Sequence, residues 1–196
     1  MGENNFNLPP GFRFYPTDEE LVVHFLQRKA ALLPCHPDVI PDLDLYPYDP
    51  WDLHGKAMGE GNKWYFYSRR TKMRVSGSGY WQSIGVEEPI YSSTNPHKLI
   101  GMKKYSAFYM GDPSGSQPLK TNWIMQEYRL SSDSTSSTRS STSSRRSRNS
   151  KTLIDYSKWV ICRVYECGED DDGAELSCLD EVFLSLDDLD EISLPN

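Results

Sequence analysis

The chain predicts an α+β fold, in which a twisted, mostly antiparallel β-sheet is flanked by a few helices and followed by a disordered acidic tail. Near the N-terminus, apolar residues recur at helical spacing. From residue 62 onward, short aromatic and β-branched segments alternate with clusters of Gly, Pro, Asn and Ser, which is typical of strands and their turns. After residue 165 acidic residues dominate, and such a segment is not expected to build a core of its own.

Two helices are predicted before the strands begin. Thr17 is expected to cap the first, because Glu20 follows three residues later and completes a capping box. Pro34 is expected to end it. A second, short helix is predicted at Pro50, with Asp49 as its cap. The apolar stripe of the first helix consists of Leu21, Val22, Phe25 and Leu26.

Five segments read as strands: NKWYFYS, SGYWQS, MKKYSAFYMG, NWIMQEYRL and YSKWVICRVYE. In the last of them Val160, Cys162 and Val164 share one face, while Trp159 and Ile161 belong to the other. Both faces are largely apolar. The sheet is therefore expected to be covered on both sides.

Charge divides the chain into a mildly basic body and a strongly acidic tail. Residues 166–196 contain 12 acidic residues and no Lys or Arg, so residues 1–165 hold 16 acidic residues against all 21 basic ones. This asymmetry is typical of a nucleic-acid-facing domain joined to an interaction tail. Within the body, residues 131–151 form a Ser/Thr/Arg-rich segment that is expected to be disordered and to loop out between adjacent strands.

The sequence predicts no membrane span, no cofactor and no metal site. It has neither an N-terminal signal region nor a long apolar run, and the four cysteines fit free thiols in a reducing compartment. Their spacings do not supply the paired ligands of a zinc site. Catalysis is not expected, because the carboxylates at Asp18, Glu19 and Glu20 suit a helix start, and the adjacent Cys35 and His36 lack an orienting third group.

Several motifs in order resemble the NAC-domain family of plant transcription factors. They are LPPGFRFYPTDEEL, DLYPYDPWDL, WYFYS, GSGYW, KTNWIMQEYRL and WVICRVYE, and they cover residues 8–166 apart from the Ser-rich segment. The short length and acidic tail are similar to small xylem-type members. The resemblance implies a nuclear, sequence-specific regulator of transcription that binds double-stranded DNA as a homodimer or as a heterodimer with other NAC proteins.

The resemblance also assigns a dimer interface near the N-terminus. Arg13 and Glu20 match the family's intersubunit ion pair, which a two-fold axis would form twice. Leu8, Pro9 and Gly11 are expected to join this interface. For each of the charged residues a local role is the alternative, namely helix capping for Glu20 and a solvated loop position for Arg13.

The strand that begins at Tyr80 resembles the one that the family inserts into the DNA major groove, which admits a β-element. The family pattern is Trp-Lys-Ala-Thr-Gly-x-Asp-Lys, whereas this chain has Trp81, Gln82, Ser83, Ile84, Gly85, Val86, Glu87 and Glu88. Both Lys positions are therefore lost. The candidate DNA-binding residues are Arg69, Arg70, Lys72, Arg74, Trp81, Gln82, Lys103, Lys104 and Lys120. Taken singly, the cations would read as a solvated loop and Trp81 as a core aromatic.

Replacing two Lys with Gln and Glu removes three positive charges per subunit. Because DNA affinity depends on phosphate neutralisation, this loss is expected to weaken binding on the order of a hundredfold at physiological salt. Gln82 still has an amide suited to adenine. Two hypotheses follow: a DNA-binding regulator with reduced or altered affinity, or a dimerisation decoy that pairs with other NAC proteins and binds DNA weakly.

Two segments outside the strands carry short motifs. The basic run from Arg145 to Lys151 reads equally well as an import signal and as solvated low complexity. In the tail, Leu176, Cys178 and Asp180 nearly match the Leu-x-Cys-x-Glu peptide of retinoblastoma-related pocket-protein ligands, with Asp in place of Glu. A motif this short also occurs by chance. A pocket protein or another co-regulator is thus a possible partner of residues 166–196.

Overall fold

A computed structural model of the chain describes residues 11, 13–72, 74–115, 117–131 and 157–168. Its first element is a continuous helical segment, α1, whose turns are α-helical at Asp18–Glu20, π-helical at Leu21–Leu26 and α-helical at Gln27–Ala30. The predicted capping box is present, because Thr17 Oγ1 accepts from the Glu20 amide and the Glu20 carboxylate accepts from the Thr17 amide. The predicted second helix is a 3-10 turn at Pro50–Leu53, capped by Asp49.

The strands form one antiparallel seven-stranded sheet in the order β1-β2-β7-β6-β5-β4-β3. Their bounds are β1 Met58–Glu60, β2 Lys63–Arg69, β3 Arg74–Val75, β4 Gly79–Tyr91, β5 Leu99–Met110, β6 Leu119–Leu130 and β7 Trp159–Glu166. All five predicted strands are present, and the short β1 and β3 are additional. For the described residues, the predicted α+β fold with an antiparallel sheet flanked by helical elements is confirmed; the predicted tail lies outside them. Strands β6 and β7, which flank the Ser-rich segment, are direct neighbours.

Each face of the sheet has its own core. On the face that we call the helix face, α1 covers β-strand residues such as Tyr65, Tyr128 and Ile161. On the opposite face, called the turn face, Leu53 of the 3-10 turn packs over the sheet. The residues that alternate along β7 separate as predicted, because Val160, Cys162 and Val164 lie in the turn-face core. A sheet covered on both sides leaves its outer strands as the exposed edges.

Side chains of α1 fasten the helix to the sheet. Asp18 accepts from Tyr128 Oη at 2.7 Å and pairs with Lys103 at 2.9 Å and with Arg163 at 3.2 Å. Glu19 accepts from the amide of Ser93, in the turn between β4 and β5. The acidic start of α1 therefore holds the helix on β5, β6 and β7.

The turn before β4 is equally constrained. Asp49 accepts hydrogen bonds from the hydroxyls of Ser76 and Ser78 and from the Ser78 amide, which joins the 3-10 turn to the β3–β4 turn. A Cβ placed on Gly79 would lie 2.1 Å from the carbonyl oxygen of Tyr109. Glycine at this position thus allows β4 to approach β5, and close packing is the role of this glycine.

Other expectations concern spans, metals and thiols. None of the described helices is long and apolar enough to cross a membrane. The described residues contain no cluster of His, Cys, Asp and Glu that could hold a metal ion. Cys35 and Cys162 are free thiols, but Cys167 is disulfide-bonded, so the expectation of four free thiols is wrong.

Candidate nucleic-acid interface

A basic concavity of about 700 Å³ lies where the β2–β3 loop meets the start of β7. We call it the basic groove. Its cations come from the end of β2 and the following loop, from β5, from β6 and from the residue before β7. They are Arg69, Arg70, Lys72, Lys104, Arg129 and Lys158, and the lining also includes Thr71, Glu87, Glu127 and Ser157. Four predicted DNA-binding residues are thereby brought together.

Backbone and ring contacts hold the β2–β3 loop in this place. The Arg70 amide donates to the Lys158 carbonyl at 2.9 Å, which continues the β2–β7 ladder beyond its last strand pair. The Arg69 guanidinium lies 4.1 Å from the centre of the Trp159 ring, within cation–π distance. Arg69, Arg70 and Lys72 are nonetheless exposed. The loop therefore presents its cations to solvent from a defined position.

The two carboxylates of the basic groove are both paired with Arg side chains. Glu127 accepts from Arg74 Nε at 2.7 Å, and Glu87 binds Arg129 Nη2. The hydrogen bond from Arg129 holds the pKa of Glu87 below its ordinary value against some desolvation, with smaller contributions from Lys104 and Arg70. The other five cations of the basic groove form no ion pair within the described chain; they are Arg69, Arg70, Lys72, Lys104 and Lys158.

Arg74 is not a surface cation, contrary to the sequence-based expectation. Its side chain is 8% exposed and bonds Glu127, Ser68 Oγ and the Arg69 carbonyl oxygen. A buried Arg with three internal acceptors does not reach a DNA phosphate. Arg74 instead ties β3 to β6 and β2 beneath the basic groove, so it supports the cationic loop from inside.

Trp81 is also internal, at 6% exposure, and its ring lies 5.1 Å from that of Phe108 in the turn-face core. The geometry therefore supports the alternative role of Trp81, that of a core aromatic residue. Immediately after Trp81, however, β4 changes character: β3 pairs only with Tyr80 and Trp81, and Gln82 is exposed. The outer edge of β4 is unpaired beyond that point among the described residues.

The exposed stretch of β4 contains a bulge. The β4–β5 register shifts between Ile84 and Glu88, and Gly85 has φ +67°, a conformation that favours glycine. Val86 follows and is 56% exposed. We call residues 82–86 the edge ribbon. Glu87, which lines the basic groove, follows the edge ribbon directly in sequence.

Lys103 and Lys104 are neighbours in sequence but face opposite sides of β5. Lys103 points to the helix face, where it pairs with Asp18 at 2.9 Å and with Glu88 at 3.0 Å. Burial alone would lower the pKa of Lys103, but hydrogen bonds with Tyr105 and these two carboxylates raise it above its ordinary value. Lys103 is thus an internal ion-pair partner, contrary to its assignment as a DNA contact.

Lys120 is exposed but lies at the far end of the sheet. It is opposite Tyr109 in the β5–β6 ladder, and the Tyr109 ring belongs to a cluster on the helix face. Directly opposed residues share a face. Lys120 therefore does not join the basic groove. Sequence reasoning in turn missed Lys158, Arg129 and Glu87, whose positions depend on cross-strand register.

Two of the predicted dimer residues line a second concavity, of about 380 Å³. Arg13 and Glu20 both line it and both are exposed, and neither forms an ion pair within the described chain. One oxygen of Glu20 is occupied by the capping box. Gly11 is exposed with φ +85°. Leu8 and Pro9 lie outside the described residues, as do Leu176, Cys178 and Asp180.

Neither of the two free thiols that the structure describes is activated as a nucleophile. Complete burial raises the pKa of Cys162 to about 12, so this thiol stays protonated. Desolvation likewise raises the pKa of Cys35, which lies beside His36 in sequence but donates to the His24 carbonyl oxygen.

The class of protein follows from a family model and from curated relatives. The family model "No apical meristem (NAM) protein" matches residues 9–130, and the chain belongs to this family, the NAC-domain proteins. It is a regulator of transcription and not an enzyme.

Among its relatives, the chain is 71% identical over 193 residues to NAC domain-containing protein 104 of Arabidopsis thaliana, covering 96% of this chain and 100% of that protein. It is 41% identical to NAC transcription factor 25 of the same plant, covering 85% of this chain and 52% of that protein. It is 42% identical to NAC domain-containing protein 58 of Oryza sativa subsp. japonica, covering 81% and 42%. The chain thus spans about half the length of these last two.

Proposed function

We propose that the chain regulates transcription in the nucleus by binding double-stranded DNA, with the edge ribbon in the major groove and the basic groove on the adjacent phosphates. The observation that carries this proposal is the position of the groove cations, which lie beside an exposed, bulged strand edge. Phosphate contacts from Arg and Lys supply most of the affinity, whereas a β-element in the major groove reads base edges. The two neighbouring surfaces suit these two tasks.

Two side chains of the edge ribbon are suited to base readout. Gln82 is exposed, and its amide can donate to and accept from the major-groove edge of adenine. Val86 is apolar and exposed, and an apolar side chain can contact the methyl group of thymine. The ribbon therefore favours A·T-containing sites.

The chain is proposed to bind DNA more weakly than its relatives with Lys in the ribbon. Gln82 brings no positive charge, and Glu88 replaces the second Lys with a carboxylate, whose partner Lys103 lies outside the basic groove. A second reason adds to the loss of the two Lys, because Glu87 is paired with Arg129 and thereby occupies a cation of the basic groove.

The dimer is proposed to form through the concavity that Arg13 and Glu20 line. The second oxygen of Glu20 remains available when the first is in the capping box, so capping and an intersubunit ion pair are compatible. A two-fold axis would form the pair twice. The charge-reversed variant Arg13→Glu is expected to be monomeric, and mixing it with Glu20→Arg should restore a heterodimer in analytical ultracentrifugation.

A decoy is the second candidate function. The observation that favours it is the ion pair of Glu87 with Arg129, which occupies a cation of the basic groove. A protomer of this kind would dimerise normally but weaken the hold of a partner NAC protein on DNA. A pocket protein or another co-regulator is kept as a proposed partner of residues 166–196.

One experiment tests the proposal and separates the two candidates. The full chain is mixed at low salt with a library of random duplexes, and the bound fraction is sequenced. A regulator that reads DNA enriches one motif, and the triple variant Arg70→Gln, Lys72→Gln and Lys158→Gln loses the enrichment. The control for charge outside the basic groove is Lys56→Gln, which is compared with each of the three single variants as well. No enrichment by the chain alone, together with loss of DNA binding by an added NAC relative, would identify a decoy instead.

A further inference from the structure

We propose that Glu87 is an internal competitor for DNA phosphate, which occupies Arg129 in the basic groove and thereby sets the affinity of this chain for DNA. The inference rests on the proposed function and concerns an affinity-determining residue within it. It starts from one contact. The Glu87 carboxylate binds Arg129 Nη2 inside the cationic concavity, at the point where the edge ribbon rejoins the ladder.

The surroundings of Glu87 are those of an anion site. Arg70, Lys104 and Arg129 all line the concavity with it, and Arg70 and Lys104 act on its carboxylate electrostatically as well. Glu127, the other carboxylate there, is 7% exposed and bound to Arg74, so it belongs to the interior. Glu87 is therefore the solvent-accessible anion among these cations, and a DNA phosphate approaching Arg129 meets it first.

An incoming anion can replace Glu87 in the Glu87–Arg129 ion pair. The Glu87 and Arg129 side chains are 36% and 28% exposed, so both can be reached from solvent. The hydrogen bond uses one Glu87 oxygen and one Arg129 nitrogen, without the two parallel bonds of a forked pair. A phosphate can replace the carboxylate at this nitrogen. Binding then requires Glu87 to move away from the site, or else leaves Arg129 uncontacted.

Glu88 provides a matched control in the next residue. It has the same charge, but it points to the helix face and pairs with Lys103, which Asp18 also holds. Glu87→Gln and Glu88→Gln therefore change the net charge of the chain equally. Only the first change frees a cation of the basic groove. Long-range electrostatics alone predicts equal effects, whereas competition predicts unequal ones.

The test compares both variants of the full chain in duplex titrations between 50 and 200 mM salt. One released cation per protomer should steepen the slope of log K against log salt by about 0.9, or about 1.8 for two protomers on one duplex. The affinity advantage of Glu87→Gln over Glu88→Gln should then grow about tenfold from the high to the low salt concentration. The double variant Glu87→Gln with Arg129→Gln should lose the advantage. Unfolding in urea confirms that each variant is folded, and Glu87→Ser serves as a second replacement.

A second measurement does not depend on DNA. Inorganic pyrophosphate is titrated into each variant while the Arg Nε–Hε signals are followed by NMR, and Glu87→Gln should bind it more tightly than Glu88→Gln through Arg129. Equal behaviour of the two variants with pyrophosphate and duplex, or a gain that survives removal of Arg129, would overturn the competitor role. Tighter pyrophosphate binding without any duplex binding would instead overturn the proposed function and leave the competitor role standing.

Discussion

Two adjacent lysines offer the sharpest prediction about where DNA binds. Lys104 lines the basic groove, whereas Lys103 is held on the opposite face by Asp18 and Glu88. Replacing each with Gln removes the same charge from neighbouring residues of one strand. The DNA-binding effect is expected from Lys104→Gln, and the stability effect from Lys103→Gln.

The magnitudes follow from the contacts. Loss of one phosphate contact per protomer lowers the salt slope by about 0.9, so two protomers lose about 1.8, and the affinity deficit at 50 mM salt is about tenfold larger than at 200 mM. Lys103→Gln removes two charge-assisted contacts from a side chain that is 14% exposed. A hydrogen bond to a charged group contributes about 1.5–3 kcal/mol, and partial exposure places the expected loss of unfolding free energy near the lower end.

The assay is a duplex titration at four salt concentrations, paired with urea unfolding of the same preparations. Lys104→Gln should show the shallower slope with an unchanged unfolding midpoint, and Lys103→Gln the reverse. If Lys103→Gln reduced the salt slope as much as Lys104→Gln, the helix face would also contact phosphate. The division of the two faces would then be refuted.

Three further predictions concern the scaffold. Glu127→Ala should lower the free energy of unfolding, measured in urea, by about 3–5 kcal/mol, because it leaves Arg74 charged and buried without its partner. The double variant Arg74→Met with Glu127→Leu, which replaces both charges, should recover most of this loss. Gly79→Ala should lower the free energy of unfolding by roughly 3 kcal/mol, because the new Cβ would lie 2.1 Å from the carbonyl oxygen of Tyr109. Gly59→Ala, whose Cβ would have its nearest atom at 3.6 Å, should lower it by less than about 1 kcal/mol. Equal shifts of the melting temperature for the two variants would contradict this. Burial raises the pKa of Asp18, but hydrogen bonds from Tyr128 and Lys103 and the charge of Arg163 bring it below its ordinary value of 3.8, so the ionised carboxylate stabilises the fold above that pH. The difference in unfolding free energy between wild type and Asp18→Asn should therefore be largest at neutral pH and shrink as the pH falls below 3.8. A difference that stays constant with pH would be inconsistent with this origin.

Local chemistry made much of the fold predictable. The capping box of Thr17 and Glu20 depends on residues three apart, and the face alternation of β7 depends on a period of two, so both can be seen in a short window of sequence. The same reasoning found Asp49 at the start of the 3-10 turn. It missed β3, a strand of two residues that is too short to show a period.

The candidate site was less predictable, because the pairing register of the strands, and not the spacing of residues in the sequence, determines which side chains lie together. Arg74 reads as a surface cation until Glu127, 53 residues later in sequence, is placed beside it. Lys103 and Lys104 read alike until the β4–β5 pairing puts Glu88 opposite Lys103. Lys158 gives no local signal at all and reaches the groove through its contact with Arg70. Long-range pairing of strands carries this information.

The central claim is tested most directly by photo-cross-linking from two exposed positions of the sheet. A photoreactive amino acid is placed at Val86, in the edge ribbon, or at Leu119, beside Lys120 at the far end. These residues are 56% and 64% exposed. Each full-length variant is irradiated with the duplex that library selection enriches most. Cross-links to bases from position 86 and none from position 119 are the predicted result. Cross-links from position 119 alone would place DNA at the opposite end of the sheet and contradict the account.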